Sequence, residues 1–180
     1  MAPARSDLDP VDFPALLPYM MLVEKVDDQF RYRLLGSALA RQLGRDVTGN
    51  VVGSQFVNAP EAIAAKRAVY ERVFAIAQPV FITVEFKIKS GAIHNVAQLI
   101  LPLAVNGTSV DMAVSTLVAR FNFEVTASID LKGIPVKVRD VIDIDSAAEL
   151  EKLCLQWEQY CDNQWGLAER STHFRPLPSA

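Results

Sequence analysis

The stretch FRYRLLGSALARQLGRDVTG, residues 30–49, changes its hydrophobic periodicity twice. Its first residues alternate between apolar side chains and Arg31 and Arg33, which is the pattern of a half-buried β-strand. After Gly36 the spacing becomes helical, because Leu39 and Leu43 lie four residues apart. The apolar face of the predicted strand comprises Phe30, Tyr32 and Leu34.

Small and polar residues mark where these elements begin and end. Ser37 can cap the N-terminus of the helix, and Gly44 can adopt the left-handed conformation that ends it. Gly36 and Gly49 allow further sharp changes of backbone direction. The stretch therefore predicts a strand, a short helix and a turn in immediate succession. The apolar run of residues 20–26 precedes it across a polar turn, which predicts a β-hairpin.

A longer helix is predicted to begin near Asn58 and to end before Pro79. Asn58 and Glu61 have the spacing of a capping box, and Pro60 suits the first turn. One side of this helix is apolar, at Val69, Tyr70, Val73, Phe74 and Ala77. The opposite side is polar, at Lys66, Arg67, Glu71 and Arg72.

Three antiparallel strands are predicted in the middle of the chain. Ser90-Gly91 and Asn106-Gly107 form the turns between them, and the second of these is a strong short hairpin signal. The first strand, residues 80–89, alternates so that one face is buried and the other wet. Its buried face comprises Val80, Ile82, Val84, Phe86 and Ile88.

The flanking segments carry weaker patterns. Prolines exclude a long regular helix in residues 1–18, which we interpret as a flap of short turns. Residues 123–145 alternate weakly and suit a linker, an arm or extra strands. Ser146 and Glu149 then begin an amphipathic helix, residues 146–166, and residues 167–180 form a tail.

Charge and hydropathy exclude several classes of protein. The net charge of −3, without clusters of Lys or Arg, disfavours direct binding to nucleic acid. The longest early apolar run, residues 19–23, is far shorter than the ~20 residues of a membrane helix. The acidic N-terminal segment is unlike a signal peptide. We therefore expect a cytoplasmic protein without a membrane segment.

The order of elements and three motifs resemble a group of short bacterial proteins with a single PAS domain. The motifs are Asp-Pro at residues 9–10, Arg-Tyr-Arg-Leu at residues 31–34 before Gly36, and Leu-Pro-Leu at residues 101–103 before a glycine turn. The resemblance implies an α+β fold with a PAS-like domain over residues 19–122. Its five-stranded antiparallel sheet would carry short helices and one long helix on one face, with the C-terminal helix added.

The resemblance also implies a non-enzymatic sensory or regulatory module. Such a module acts through protein–protein contacts, as a homodimer or with a signalling partner, and a small organic ligand can gate it. Side chains that could line a ligand pocket are equally well explained as core. They are Tyr32, Tyr70, Phe74, Phe86 and Leu101.

The sequence predicts no resident cofactor and no metal site, and it leaves a non-covalently bound flavin or a small organic acid open as a ligand. The resemblance implies that haem or covalent flavin photochemistry needs a histidine or a cysteine in the helical region of the domain, and neither is found there. His94 and His173 are better explained as solvated side chains. Arg33 could bind an anion, but we favour a cross-strand pair with Glu24 or Glu85.

A second function from another class stays open. An isomerase-like or cyclase-like enzyme, or a carrier, could use a similar α+β cup, with Tyr70 and Asp111 as candidate catalytic residues. The chain has no hydrolase, metalloprotease, P-loop or dinucleotide motif, which argues against this alternative.

The C-terminal helix is a candidate interface. Its apolar stripe includes two tryptophans, the side chain most enriched at binding hot spots. The interface residues predicted on it are Leu150, Leu153, Trp157 and Trp165. The alternative is that the helix folds back as a cover over the sheet.

Overall fold

The computed structural model describes residues 2–54, 56, 59–87, 93–105, 109–118 and 136–165. The chain divides into two compact units, Met1–Asp145 and Ser146–Ala180. The first unit begins with three 3-10 helices, Arg5–Asp7, Pro10–Asp12 and Leu17–Tyr19. Its helices are α1 (Ser37–Leu43) and α2 (Pro60–Ile76). Its strands are β1 (Met20–Val26), β2 (Gln29–Leu35), β3 (Val80–Lys87), β4 (Ile93–Leu103), β5 (Met112–Val118) and β6 (Val136–Asp143).

All strands form one antiparallel sheet in the order β2-β1-β5-β4-β3-β6. The predicted α+β fold is therefore confirmed, and the five strands expected for the PAS-like domain lie side by side. A sixth strand, β6, extends the sheet beyond β3. It comes from the segment 123–145, for which the sequence left a linker, an arm and extra strands open.

A β-bulge changes which leucine of β2 is buried. Val23 pairs with Tyr32 but Leu22 pairs with Leu34, so Arg33 is an extra residue in the ladder. The alternation therefore reverses after Tyr32, and Leu34 is 48% exposed while Leu35 is 8% exposed. The prediction that Leu34 shares the buried face was wrong for this reason.

Gly36 and Gly44 enclose α1, as the sequence indicated, but Gly36 itself occupies the cap position predicted for Ser37. Gly44 ends the helix with φ at +67°. A Cβ atom on Gly36 would lie 2.3 Å from the carbonyl oxygen of Pro18. Gly36 is therefore required by the close approach of another backbone segment.

Helix α2 was predicted correctly in extent and at Val69, Tyr70 and Val73 of its buried face, but not in its cap or at Lys66. Its N-cap residue is Ala59, and no described side chain caps the helix; Asn58, on which the expected capping box rests, lies outside the described residues. Lys66, assigned to the polar side, is buried. The buried stripe of the helix comprises Ala62, Lys66, Val69, Tyr70 and Val73.

The sheet packs on both faces. The inner face meets α2 in the main core, which includes Val23, Tyr32, Ile82 and Ile100. The outer face carries a second cluster formed by Leu22, Leu103, Met112 and Val114. Leu8 of the N-terminal segment packs against this second cluster, and Ala4 forms a parallel bridge with Ala104.

The second unit contains helix α3 (Ala147–Trp165). Its start agrees with the sequence, since the Ser146 hydroxyl accepts a hydrogen bond from the backbone N–H of Glu149 at 3.2 Å. No helix in the described part of the chain is long and apolar enough to cross a membrane.

Candidate functional site

Lys66 is a charged side chain inside the main core. It lies on the stripe of α2 that faces the sheet, four residues before Tyr70, so the two side chains share one face of the helix. Lys66 is 8% exposed and Tyr70 is fully buried. Lysine is almost never fully buried without a partner, so its surroundings require an explanation.

Two polar side chains of the inner sheet face meet Lys66. Gln98 alternates with Val96 and Ile100 on β4, and it is fully buried. The Lys66 ammonium donates a hydrogen bond to Oε1 of Gln98, and Nε2 of Gln98 donates to the Ser115 hydroxyl on β5 at 2.8 Å. We name Lys66, Tyr70, Gln98 and Ser115 the inner polar cluster. It links α2 to the two central strands.

Burial dominates the electrostatics of the ammonium group. None of the carboxylates that the structure describes forms an ion pair with Lys66. Loss of hydration lowers the pKa of Lys66 from 10.5 to about 8. Nζ lies 5.8 Å from the centroid of the Tyr70 ring, so a cation–π contact offsets a small part of this cost.

The Tyr70 hydroxyl has no hydrogen-bond partner among the described residues. Burial raises the pKa of Tyr70 to about 12. The nearby polar side chains of Ser115 and Gln98 reduce this rise, although neither forms a well-aligned hydrogen bond with the Tyr70 hydroxyl. A buried, unpaired hydroxyl is unusual in a folded protein because it loses hydration without compensation. The hydroxyl is thus available as a donor to a further group.

The predicted pocket residues are only partly brought together. Tyr32, Tyr70 and Phe74 belong to the main core or pack against it. The ring of Phe30 lies 5.9 Å from that of Tyr70 and 5.0 Å from that of Phe74, measured between centroids. Leu101 does not join them: it packs against the outer cluster, because it faces away from α2 on β4. The backbone of Phe86 lies in β3, and its side chain is outside the described residues.

The sequence did not predict Lys66, Gln98 or Ser115 as site residues. Gln98 and Ser115 interrupt the apolar alternation of β4 and β5 at positions that face inward, which is a usable signal. Lys66 lies at helical spacing between Ala62 and Tyr70, but its neighbour Arg67 suggests a polar side. Polar residues at core positions of three separate elements indicate a shared site.

The arginines of β2 are structural. Arg33 approaches Glu24 at 3.9 Å, the cross-strand pair favoured from the sequence. Arg31 instead donates to the carbonyl oxygen of Gly49 at 3.3 Å and to Gln29 at 2.7 Å. These contacts tie the segment after α1 to the edge of the sheet.

Asp111, the histidines and the other possible metal ligands form no second site among the described residues. The Asp111 carboxylate accepts a hydrogen bond from the backbone N–H of Val105 at 2.8 Å, a contact across the β4–β5 connection. His94 lies in β4 with its side chain outside the described residues, and His173 lies outside them altogether. Within the described ranges, no group of His, Cys, Asp and Glu side chains could hold a metal ion.

The predicted interface residues all lie in α3. Leu150 and Leu153 are half-buried, and Leu155, which the prediction did not include, is 53% exposed. Trp157 and Trp165 belong to the helix, but their side chains are outside the described residues. Their role stays a prediction.

Comparison with known families and structures identifies the domain. The family model described as "PAS domain" matches residues 1–118, which include β1 to β5 and both helices of the first unit. No curated protein matches the chain.

Solved structures that resemble the chain are distant. A light-oxygen-voltage domain studied with a flavin analogue is 9% identical over 62% of this chain and 84% of its own, with a TM-score of 0.45. The PAS domain of BvgS from Bordetella pertussis is 14% identical over 84% of this chain and 99% of its own, with a TM-score of 0.36.

Proposed function

Because the chain belongs to the PAS domain family, we propose that it is a non-enzymatic sensory or regulatory module that signals through a protein–protein contact. The inner polar cluster is the observation that carries this proposal. Burying an ammonium group in an apolar core costs stability, and perturbed titratable groups are concentrated at functional sites. The cluster contains no carboxylate and no histidine, the side chains most often used in general acid–base catalysis.

Helix α2 provides a physical connection from this cluster to the end of the first unit. Lys66 lies on the buried side of α2, and Arg72 of the same helix forms an ion pair with Asp143 at the end of β6. The next residue, Ile144, is buried and donates its backbone N–H to the carbonyl oxygen of Pro79 at 2.8 Å. A shift of α2 would therefore change the point at which the chain enters α3.

Helix α3 is the proposed output. Its apolar residues at helical spacing would contact a second copy of the chain, and its tryptophans would supply most of the binding energy. We favour a second copy as the partner because symmetric homodimers are the commonest oligomers of soluble proteins. A signalling protein of another kind is the alternative partner.

The test is the oligomeric state of the full chain and of two variants. Leu153→Asp places a charge on the apolar stripe, whereas Gln159→Asp places the same charge on an exposed position of the same helix. We expect a dimer by light scattering for the natural chain and for Gln159→Asp, and a folded monomer for Leu153→Asp. A natural chain that is monomeric and binds no protein partner would overturn the proposal.

A further inference from the structure

The inner polar cluster has more hydrogen-bond donors than acceptors. The Lys66 ammonium carries three N–H donors, and Oε1 of Gln98 accepts one of them. The Ser115 oxygen accepts a hydrogen bond from Gln98, which leaves the Ser115 hydroxyl proton as a further donor. The Tyr70 hydroxyl has no partner among the described residues. Spare donors on two elements, α2 and β5, therefore lack an acceptor among the described side chains of the cluster.

The charge of the cluster is uncompensated as well. The ammonium group is buried, and the neutral amide of Gln98 and the ring of Tyr70 are its polar and aromatic neighbours. The side chains around the cluster in the main core are aliphatic or aromatic, such as Val69, Val73 and Ile82. A bound anion would supply both the missing acceptors and the missing charge.

From this arrangement we infer that the inner polar cluster binds a small monocarboxylate. One carboxylate oxygen would accept from the Lys66 ammonium, and the other would accept from the Tyr70 and Ser115 hydroxyls. The inference rests on the proposed sensory function, because it names the ligand class that the sensor would detect.

Charge and size favour a monocarboxylate over other anions. One ammonium compensates one negative charge, whereas a phosphate ester carries up to two and is usually bound by arginine or by several backbone N–H groups. All four cluster residues are almost completely buried, so the ligand must be small. The aliphatic surroundings suit a short alkyl tail.

The test uses the full chain with sodium propionate as the probe. Propionamide has nearly the same shape without the charge, and sodium chloride controls for ionic strength. We expect propionate to shift the amide resonances of α2, β4 and β5 in nuclear magnetic resonance spectra and to raise the melting temperature. Propionamide should produce neither effect. The same shifts with chloride or propionamide, or no shift with propionate at about 50 mM, a weak-affinity limit, would overturn the inference.

Variants connect the binding to the cluster. Lys66→Met should weaken propionate binding at least about tenfold, the effect of losing a charge-assisted hydrogen bond. Lys25→Met removes an exposed lysine and should leave the affinity unchanged. Tyr70→Phe removes one hydroxyl and provides a second variant if Lys66→Met does not fold. Equal affinity in the natural chain and in whichever of the two cluster variants folds would contradict the inference.

The pH dependence gives a further check. Gln98 and Ser115 do not titrate, and the pKa of Tyr70 is about 12. Lys66, with its pKa lowered to about 8, is therefore the cluster residue that changes charge in mildly alkaline solution. Propionate affinity should fall as the pH rises above about 8. A constant affinity across that range would contradict the assignment to Lys66.

The outcomes separate this inference from the proposed function. If propionate does not bind but Leu153→Asp still abolishes the dimer, the ligand class is wrong and the protein–protein output stands. If propionate binds as described but the natural chain has no protein partner, the ligand site stands and the proposed output is wrong.

Discussion

Arg72 on α2 and Asp143 at the end of β6 form a two-point ion pair across 71 residues of sequence. Nε of Arg72 donates to one carboxylate oxygen at 2.7 Å, and its terminal nitrogen donates to the other. The arginine holds the pKa of Asp143 below its usual value of 3.8. This pair joins the long helix of the PAS domain to the strand that precedes α3.

The first prediction concerns the pH dependence of this pair. Because the pKa of Asp143 is lowered in the folded state, the stabilisation is present above the usual aspartate pKa and is lost as the pH falls through the lowered value. Arg72→Gln should therefore lower the melting temperature slightly at neutral pH and not at all in strong acid. Both side chains are partly exposed, so added salt should also reduce the difference.

A double-mutant cycle with Asp143→Asn identifies the contact responsible. The effects of Arg72→Gln and Asp143→Asn should not add, because each variant removes the same ion pair. Fully additive effects on the melting temperature would show that the pair does not form in solution.

The second prediction is that stability rises between about pH 8 and pH 10.5, the folded and usual pKa values of Lys66. The unfolded chain binds more protons than the folded chain in this window, so the free energy of unfolding increases with pH. The total rise is on the order of 3 kcal/mol, at about 1.4 kcal/mol per unit of pKa shift. Urea denaturation as a function of pH measures it.

Lys66→Met should abolish this rise, whereas the exposed-site control Lys25→Met should retain it. The slope is more informative than the stability at one pH, since Lys66→Met also leaves the Gln98 oxygen without its donor. A natural chain whose stability is flat through this window would mean that Lys66 is not buried.

The third prediction is that Gln98→Leu is more destabilising when Lys66 is present than when it is replaced. Removing the amide leaves a buried ammonium without its acceptor, at a cost of about 1–3 kcal/mol. In the Lys66→Met background, leucine at position 98 should pack against methionine, and the loss should shrink by at least about 1 kcal/mol. Chemical denaturation of the single and double variants measures this coupling. Equal losses in both backgrounds would argue against the hydrogen bond.

The fourth prediction is that, without ligand, Tyr70→Phe is at least as stable as the natural chain. The gain is at most about 2 kcal/mol, because the substitution removes a buried hydroxyl without a partner. Tyr70→Leu is the matched control, since it also removes the aromatic contact with Phe30. That control should lower the melting temperature. A clear loss of stability in Tyr70→Phe would indicate that the hydroxyl is hydrogen-bonded after all.

The fifth prediction is that Gly36→Ala destabilises the domain by about 1–3 kcal/mol, the usual effect of overpacking. The backbone of Gly36 has ordinary angles, so the cause would be contact with the carbonyl oxygens of Leu17 and Pro18. Gly49→Ala is the comparison: its φ is +82° but nothing lies within 4 Å of the added atom. It should cost about 1–2 kcal/mol through backbone strain alone. Urea denaturation measures both losses of stability. An unchanged stability of Gly36→Ala would contradict the close approach of the Leu17 and Pro18 carbonyl oxygens.

Local sequence patterns were sufficient for the order of elements. The alternation of β2, the helical spacing after Gly36 and the stop at Gly44 each depend on neighbouring residues, so they could be interpreted without tertiary contacts. The same holds for α2, whose apolar side at Val69, Tyr70 and Val73 was predicted. These patterns and the three motifs also determined the family, which the match over residues 1–118 confirms.

The features that define the candidate site depended on contacts between distant residues. The bulge at Arg33 arises from the pairing of β2 with β1, and it places Leu35 instead of Leu34 on the buried face. Strand β6 joins the sheet by pairing with the edge of β3, which is distant from it in the sequence. Lysine is usually a surface residue, so the sequence around Lys66 does not indicate that it is buried. Its acceptor, Gln98, follows it by 32 residues and is brought to it by the tertiary structure. Local periodicity determines which side of an element a residue occupies, but the partners across the core determine whether a charge can be buried there.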